Sequence, residues 1–309
     1  MTTKNHIAAV AEGFNDMNIE FIYSKHYDLI FHVMAYFKVN NASDLYDEKY
    51  ISKMAEEKAE FDYDITSAVY SLQDYYNENF ERLMLINFLP YYCSNYEEMK
   101  NIFFTCDRFT QDDVQMFIKP FIEMLDNESE FFFEYWEKIH LKNKLSRHST
   151  EDYFQKKLSK YSCIFDYFGK PCKVLFSYNI TNNGRGFPID THVAALVRYP
   201  ENEAAFDYSF IQLLHEYTHA FTDDLLDRNI NMKDGSHDLS EYLVILADYY
   251  LIKSIDQGFI PIYFEWLKNK GLNEELLDEE KFLKLFILDE NFKAELLKTI
   301  NNILNSCTK

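Results

Sequence analysis

The chain has 309 residues, 51 acidic against 31 basic side chains, and a formal net charge of −20. That balance argues against nucleic acid and anionic membrane as partners, since both are polyanions that bind cationic surfaces. A hydrophobic content of 47% is too high for intrinsic disorder, and with only 7 Gly and 6 Pro an all-β sandwich or barrel is disfavoured.

In chain order, no glycine occurs between Gly13 and Gly169, and only Pro90 and Pro120 interrupt that stretch. Within it Tyr27-Leu29-Ile30-Val33-Met34-Phe37 and Leu83-Leu85-Ile86-Leu89 recur at three- and four-residue spacing, which predicts amphipathic helices, at least five in all. Segment 141–152, basic and then polar with a candidate cap at Ser149 or Thr150, is the predicted linker. It divides a helical N-terminal region, 1–150, from a second region, 151–309. Gly169, Pro171, Gly184, Gly186, Pro188 and Pro200 then fall within 32 residues. Lys173–Ile180 and His192–Tyr199 read as two short strands around a Gly-rich loop at 182–186. That loop has neither Walker spacing nor a GxGxxG, so it reads as a turn or substrate-side loop, not a phosphate cradle.

From Glu201 the pattern is helical again. Residues 202–227 form one long helix with Phe206, Phe210, Leu213, Leu214, Tyr217, Phe221 and Leu225 on an apolar stripe. Gly235-Ser236 opens a second helix over 237–257, closed by Gly258, and three shorter helices start near Pro261, Asn273 and Asp289. The fold class is therefore α+β and predominantly α-helical, with a small sheet beside the long helix and a large helical N-terminal part. No apolar run approaches a membrane span. The opening MTTKNHIAAVAEGFND lacks an apolar signal core, and the five Cys form no CxxC. A cytoplasmic protein with reduced, structural thiols is expected.

The long helix carries His215-Glu216-Tyr217-Thr218-His219, an HExxH. Imidazoles four residues apart sit about 40° from each other around a helix, so both reach one point beside it. Glu216 lies at the wrong angle to join them on a metal, but it can reach a water there, where a general base is needed. A catalytic zinc wants a third protein ligand, and Glu241, 22 residues after His219 on the next helix, is placed to return.

HEYTHAF followed by SEYLVILADYY, behind two strands, resembles the gluzincin-type zinc metallopeptidases, and 173–270 is similar to an uncharacterised bacterial zincin-like family among them. The resemblance implies a zincin-like catalytic region that hydrolyses peptide bonds of a peptide or protein substrate. It implies Zn2+ held by His215, His219 and Glu241, with Glu216 as general base and proton shuttle. In thermolysin-like enzymes an Asp four residues beyond the ligand Glu supports one His; here that position is Ile245. Asp248 or Asp223 is expected to take its place, because a ligating His normally donates its second N–H to such a partner.

His237, one turn before Glu241, is a candidate catalytic donor to the developing oxyanion or a rival third ligand, and otherwise a helix-entry His. Tyr242, Tyr249, Tyr250 and Arg185 are further candidate oxyanion donors. The strand His192–Tyr199, if it edges the cleft, would pair with an extended substrate. Two alternatives remain at this stage. Glu137-Lys138-Ile139-His140 is a second ExxH, so the two motifs together suit a di-iron carboxylate bundle. A non-catalytic binding protein on a zincin fold is the other.

Overall fold

A computed structural model describes residues 19–38, 48–58, 63–168, 172–180, 184–189, 192–229, 236–273, 278–286, 288 and 290–306. The architecture is α+β and predominantly helical, with one four-stranded sheet. Strands β1 (Ile19–Ile22), β2 (Cys172–Ser177), β3 (Arg185–Ile189) and β4 (His192–Arg198) lie in the order β1-β2-β4-β3. The first three in that order are parallel, with Ile19 opposite Cys172 and Cys172 opposite Val193; β3 is antiparallel to β4, with Arg185 opposite Leu196.

Both faces of the central strands are covered, which is why β2 and β4 read as nearly continuous apolar runs. Side chains alternate between the faces. Val174, Phe176, Val193, Ala195 and Val197 pack with Phe210, Leu213 and Leu214 of the long helix Phe206–Asn229. Leu175 and Leu196 face the other way, onto Tyr27 and Phe31 of the helix Lys25–Met34.

Three sequence expectations change. The sheet has four strands where two were expected: β1 comes from the N-terminal region, and part of the Gly-rich segment is β3. Strand β4, expected to edge a cleft, is paired on both sides, so β3 is the edge strand on that side of the sheet. Pro188 suits that position, since a proline cannot donate to a further ladder. The expected linker at 141–152 is helical: Lys119–Lys142 and Lys144–Lys160 meet at Asn143, whose N–H donates to Ile139 O at 2.9 Å. With no Gly or Pro there, nothing breaks the helical run; Thr150, Phe154 and Leu158, at four-residue spacing, bury one face.

The N-terminal helices are tied to the sheet through Asp28, fully buried at the start of Lys25–Met34. Its carboxyl group is hydrogen-bonded to Ser177 Oγ (2.5 Å), Trp136 Nε1 (2.8 Å) and Tyr178 N (3.3 Å), and Asn179 Nδ2 donates to its backbone carbonyl at 2.7 Å. Burial pushes this carboxyl up to about 7, although Ser177, Trp136 and Tyr178 pull against it. A second buried polar network, His32–Glu128–Lys58 with Tyr50 on the other imidazole nitrogen, binds the N-terminal helices to one another. Cys93, Cys106 and Cys172 are free thiols, but Cys163 is disulfide-bonded, contrary to the expectation of reduced cysteines throughout. Among the described residues no helix is long and apolar enough to cross a membrane.

Candidate metal centre

The long helix is held rigidly because almost all of it is core. Leu213, Leu214, Tyr217, Phe221 and Leu225 are buried, and the hydroxyls of Thr218 and Thr222 donate to the carbonyls of Leu214 (2.8 Å) and Thr218 (3.3 Å). Buried hydroxyls are thereby satisfied without leaving the helix. Gln212 Oε1 accepts from Arg198 N at 2.7 Å and fixes the helix to the end of β4. The next helix, Ser236–Ile255, packs alongside and supplies Ser240, Glu241 and Asp248.

His215, His219 and Glu241 converge, with one donor atom from each within 4.8 Å of the others. His215 Nε2 lies 3.4 Å from Glu241 Oε2, and His219 Nε2 lies 3.4 Å from Glu241 Oε1. The far nitrogens are also engaged. His215 Nδ1 meets Asp248 Oδ2 at 2.9 Å, both side chains 1% exposed. His219 Nδ1 lies 3.3 Å from Ser240 Oγ, which donates to Asp223 Oδ1 at 2.7 Å. Both candidate supporting carboxylates are therefore in play, Asp248 directly and Asp223 through a serine. The centre is open on one side, because Glu241 is 33% and His219 16% exposed.

The electrostatics favour positive charge at this point. Burial alone would depress the His215 imidazole, as does Lys270, but hydrogen bonds to Asp248 and Glu241 outweigh both and lift it to about 9. Burial works to raise Glu241, yet the two imidazoles hold it far below the usual carboxylate range. Two imidazole nitrogens and a carboxylate turned inward on one spot form a group that could hold a metal ion. Each imidazole faces its own oxygen of Glu241 at 3.4 Å, so the carboxylate lies between the two rings.

Glu216, buried beside the cluster, lies under β3. A Cβ at Gly184 would come 2.9 Å from Glu216 Oε1, and one at Gly186 would come 2.5 Å from Glu216 O. The two glycines thus allow the edge strand to run against the HExxH helix. In place of a phosphate loop, the Gly-rich segment provides this close approach.

The other candidates separate. His237 belongs to the helix Ser236–Ile255, but its side chain lies outside the described residues. Tyr242 is exposed and packs on Phe286, while Tyr249 is enclosed by Tyr250, Phe264 and Phe282. Arg185 remains near the cluster, and its Nη1 donates to Gly184 O at 3.0 Å. The second ExxH does not join the first. His140 meets Tyr178 OH at 3.1 Å and Arg147 Nη1 at 2.7 Å, and Glu137 pairs with Lys25.

The chain matches no model of a known protein family, no curated protein and no solved structure.

Two residues escaped the sequence reading. Trp266, on the helix Ile260–Asn269, stacks at a tilt against His215 with ring centroids 5.3 Å apart. Lys270 caps that helix, and its Nζ lies 4.4 Å from the Trp266 ring centroid. Burial pushes the Lys270 ammonium down, while Glu216 and Glu241 pull it back up. The only sequence signal was Gly271 one residue after a predicted helix, at φ +97°.

Proposed function

We propose that this chain is a zinc-dependent peptidase of the gluzincin type, with His215, His219 and Glu241 as metal ligands and Glu216 as general base. The observation that carries the reading is the pair of 3.4 Å imidazole–carboxylate spacings, with Asp248 fixing the tautomer of His215 behind them. A bound zinc ion supplies Lewis acidity, polarising a peptide carbonyl and acidifying a water.

The chain's own groups do the rest. Asp248 accepts the Nδ1–H of His215 and leaves the Nε2 lone pair aimed at the metal position; Ser240 and Asp223 hold His219. Glu216 takes a proton from the attacking water and passes it to the leaving amine. Strand β3, at the sheet edge and in contact with Glu216, presents the backbone groups ahead of Pro188, which itself cannot donate, to which a short extended segment of a peptide can add. The substrate strand is assigned to β3 because β4 has no free edge.

The di-iron alternative loses support, since both nitrogens of His140 and the carboxylate of Glu137 are committed elsewhere. The binding-only alternative is decided by experiment. Glu216→Gln should retain one zinc per chain and lose hydrolysis of a peptide library by at least a hundredfold. Undiminished turnover in that variant would remove Glu216 from the mechanism, and a zinc-loaded wild type that cleaves nothing would favour the binding protein.

A further inference from the structure

Lys270 is placed by the end of its helix. Leu272 N–H donates to Leu267 O (3.0 Å) and Gly271 N–H to Lys268 O (2.9 Å). That is a Schellman closure with Gly271 in the left-handed region, so the position of Lys270 is set by backbone bonds. A lysine at a helix C-terminus ordinarily runs into solvent, where it complements the helix dipole. This one lies over Trp266, whose ring in turn packs against His215. Its ammonium senses Glu216, Glu241, Asp248 and Arg185, and among the described residues it has no salt bridge or hydrogen bond of its own. Arg185 likewise has no carboxylate partner among them; its Nη1 bond goes to the adjacent Gly184 carbonyl.

Two basic groups without ion-pair partners stand out in a chain with 51 acidic and 31 basic residues. The Lys270 ammonium senses Glu216, Glu241 and Asp248 of the candidate metal centre, and it senses Arg185 in turn. With a divalent cation in place, the carboxylates of Glu216, Glu241, Asp248 and Asp223 would leave that centre at a formal −2, which Lys270 and Arg185 bring to zero inside a molecule of net charge −20. An ammonium with no ion pair at such a neutralised spot, lined on one side by an indole, is suited to an anionic group on an otherwise uncharged ligand.

We propose that Lys270 binds a carboxylate carried by the peptide substrate close to the scissile bond, from either a free C-terminus or an acidic side chain. This rests on the peptidase reading for the word substrate, though not for the anion site itself.

The test uses the full-length, zinc-loaded Glu216→Gln protein and calorimetric affinities for three probes. These are acetyl-pentaalanine as free acid, the same peptide as its amide, and an amide with Glu at the fourth position. At least one carboxylate-bearing peptide should bind about tenfold tighter than the plain amide. The gap should shrink in 0.5 M salt, fall below twofold with Lys270→Met, and persist with Lys270→Arg. Preference for the free acid assigns the C-terminus, and preference for the Glu amide assigns the side chain. Equal affinity for all three peptides, or a gap that survives either salt or Lys270→Met, overturns the proposal. Lys270→Gln makes the same comparison should Lys270→Met not fold. A wild type that holds zinc and shows the gap but hydrolyses no peptide would defeat the peptidase reading and keep the anion site.

Discussion

Asp248 offers the sharpest test of how the candidate centre is organised. Its Oδ2 lies 2.9 Å from His215 Nδ1, and both side chains are 1% exposed, so the pair is shielded from bulk solvent. Asp248→Ala leaves a buried imidazole N–H without an acceptor, which costs about 1–3 kcal/mol. It also frees the ring to turn or change tautomer. Loss of such a supporting carboxylate typically weakens metal binding 10–100-fold, or about 1.4–2.7 kcal/mol.

Asp223 supplies the contrast. It is hydrogen-bonded to Ser240, lies 4.0 Å from His219 Nδ1 and is 58% exposed, so Asp223→Ala should weaken zinc by no more than about threefold. Asp248→Asn keeps an acceptor oxygen without the charge and should fall between the two. The assay is competition for zinc with a chromophoric chelator at pH 7.5, with circular dichroism to verify folding. An Asp248→Ala protein within twofold of wild type, or one less affected than Asp223→Ala, would refute the reasoning.

Three further outcomes follow from other parts of the molecule. Gly186→Ala places a methyl group 2.5 Å from the backbone oxygen of Glu216, so β3 must move off the helix; thermal unfolding should show about 1–3 kcal/mol of destabilisation, with zinc still bound. Burial raises Asp28 to about 7, above its unfolded value of 3.8, so the folded chain keeps a proton that the unfolded chain releases. Stability from this group is therefore greatest below pH 4 and is lost as pH rises to 7. Asp28→Asn should gain about 2 kcal/mol on wild type between pH 5 and 7 in urea unfolding, and a constant difference would contradict the assignment. Zinc at a hundred times its dissociation constant should add about 2.7 kcal/mol to stability. His219→Ala, which removes one of the converging nitrogens, should abolish that gain in calorimetric scans.

The parts that could be read from sequence were those with a local period or a fixed spacing. The seven-residue apolar stripe and the HExxH lie on one helix, so a single 3.6-residue repeat placed both imidazoles together. The return of Glu241 followed from a short connection between two helices, and Asp248 from its position seven residues further along the same face. The strands were harder. The four residues of β1 owe their conformation to partners about 150 positions away, and no pattern in Ile19–Ile22 announces that pairing. Strand β3 was hidden because glycine and proline, which usually mark turns, here permit close approach and occupy an edge. The segment 141–152 misled for the opposite reason: its polar composition suggested a connection, but polarity alone does not interrupt a helix. Lys270 carried no motif at all, and its significance is visible only once Trp266 and His215 are in place.

The long-range pairing of β1 also has a bearing on biogenesis. During synthesis Ile19–Ile22 and the neighbouring Asp28 leave the ribosome roughly 150 residues ahead of the strand and serine they meet. Until Cys172–Ser177 emerges, the Asp28 carboxyl group lacks Ser177 and Tyr178 and has Trp136 alone, and the Tyr27–Phe31 face lacks Leu175 and Leu196. Closing so wide a loop is slow relative to helix formation, so a nascent chain stalled before residue 172 should be the species most dependent on chaperones.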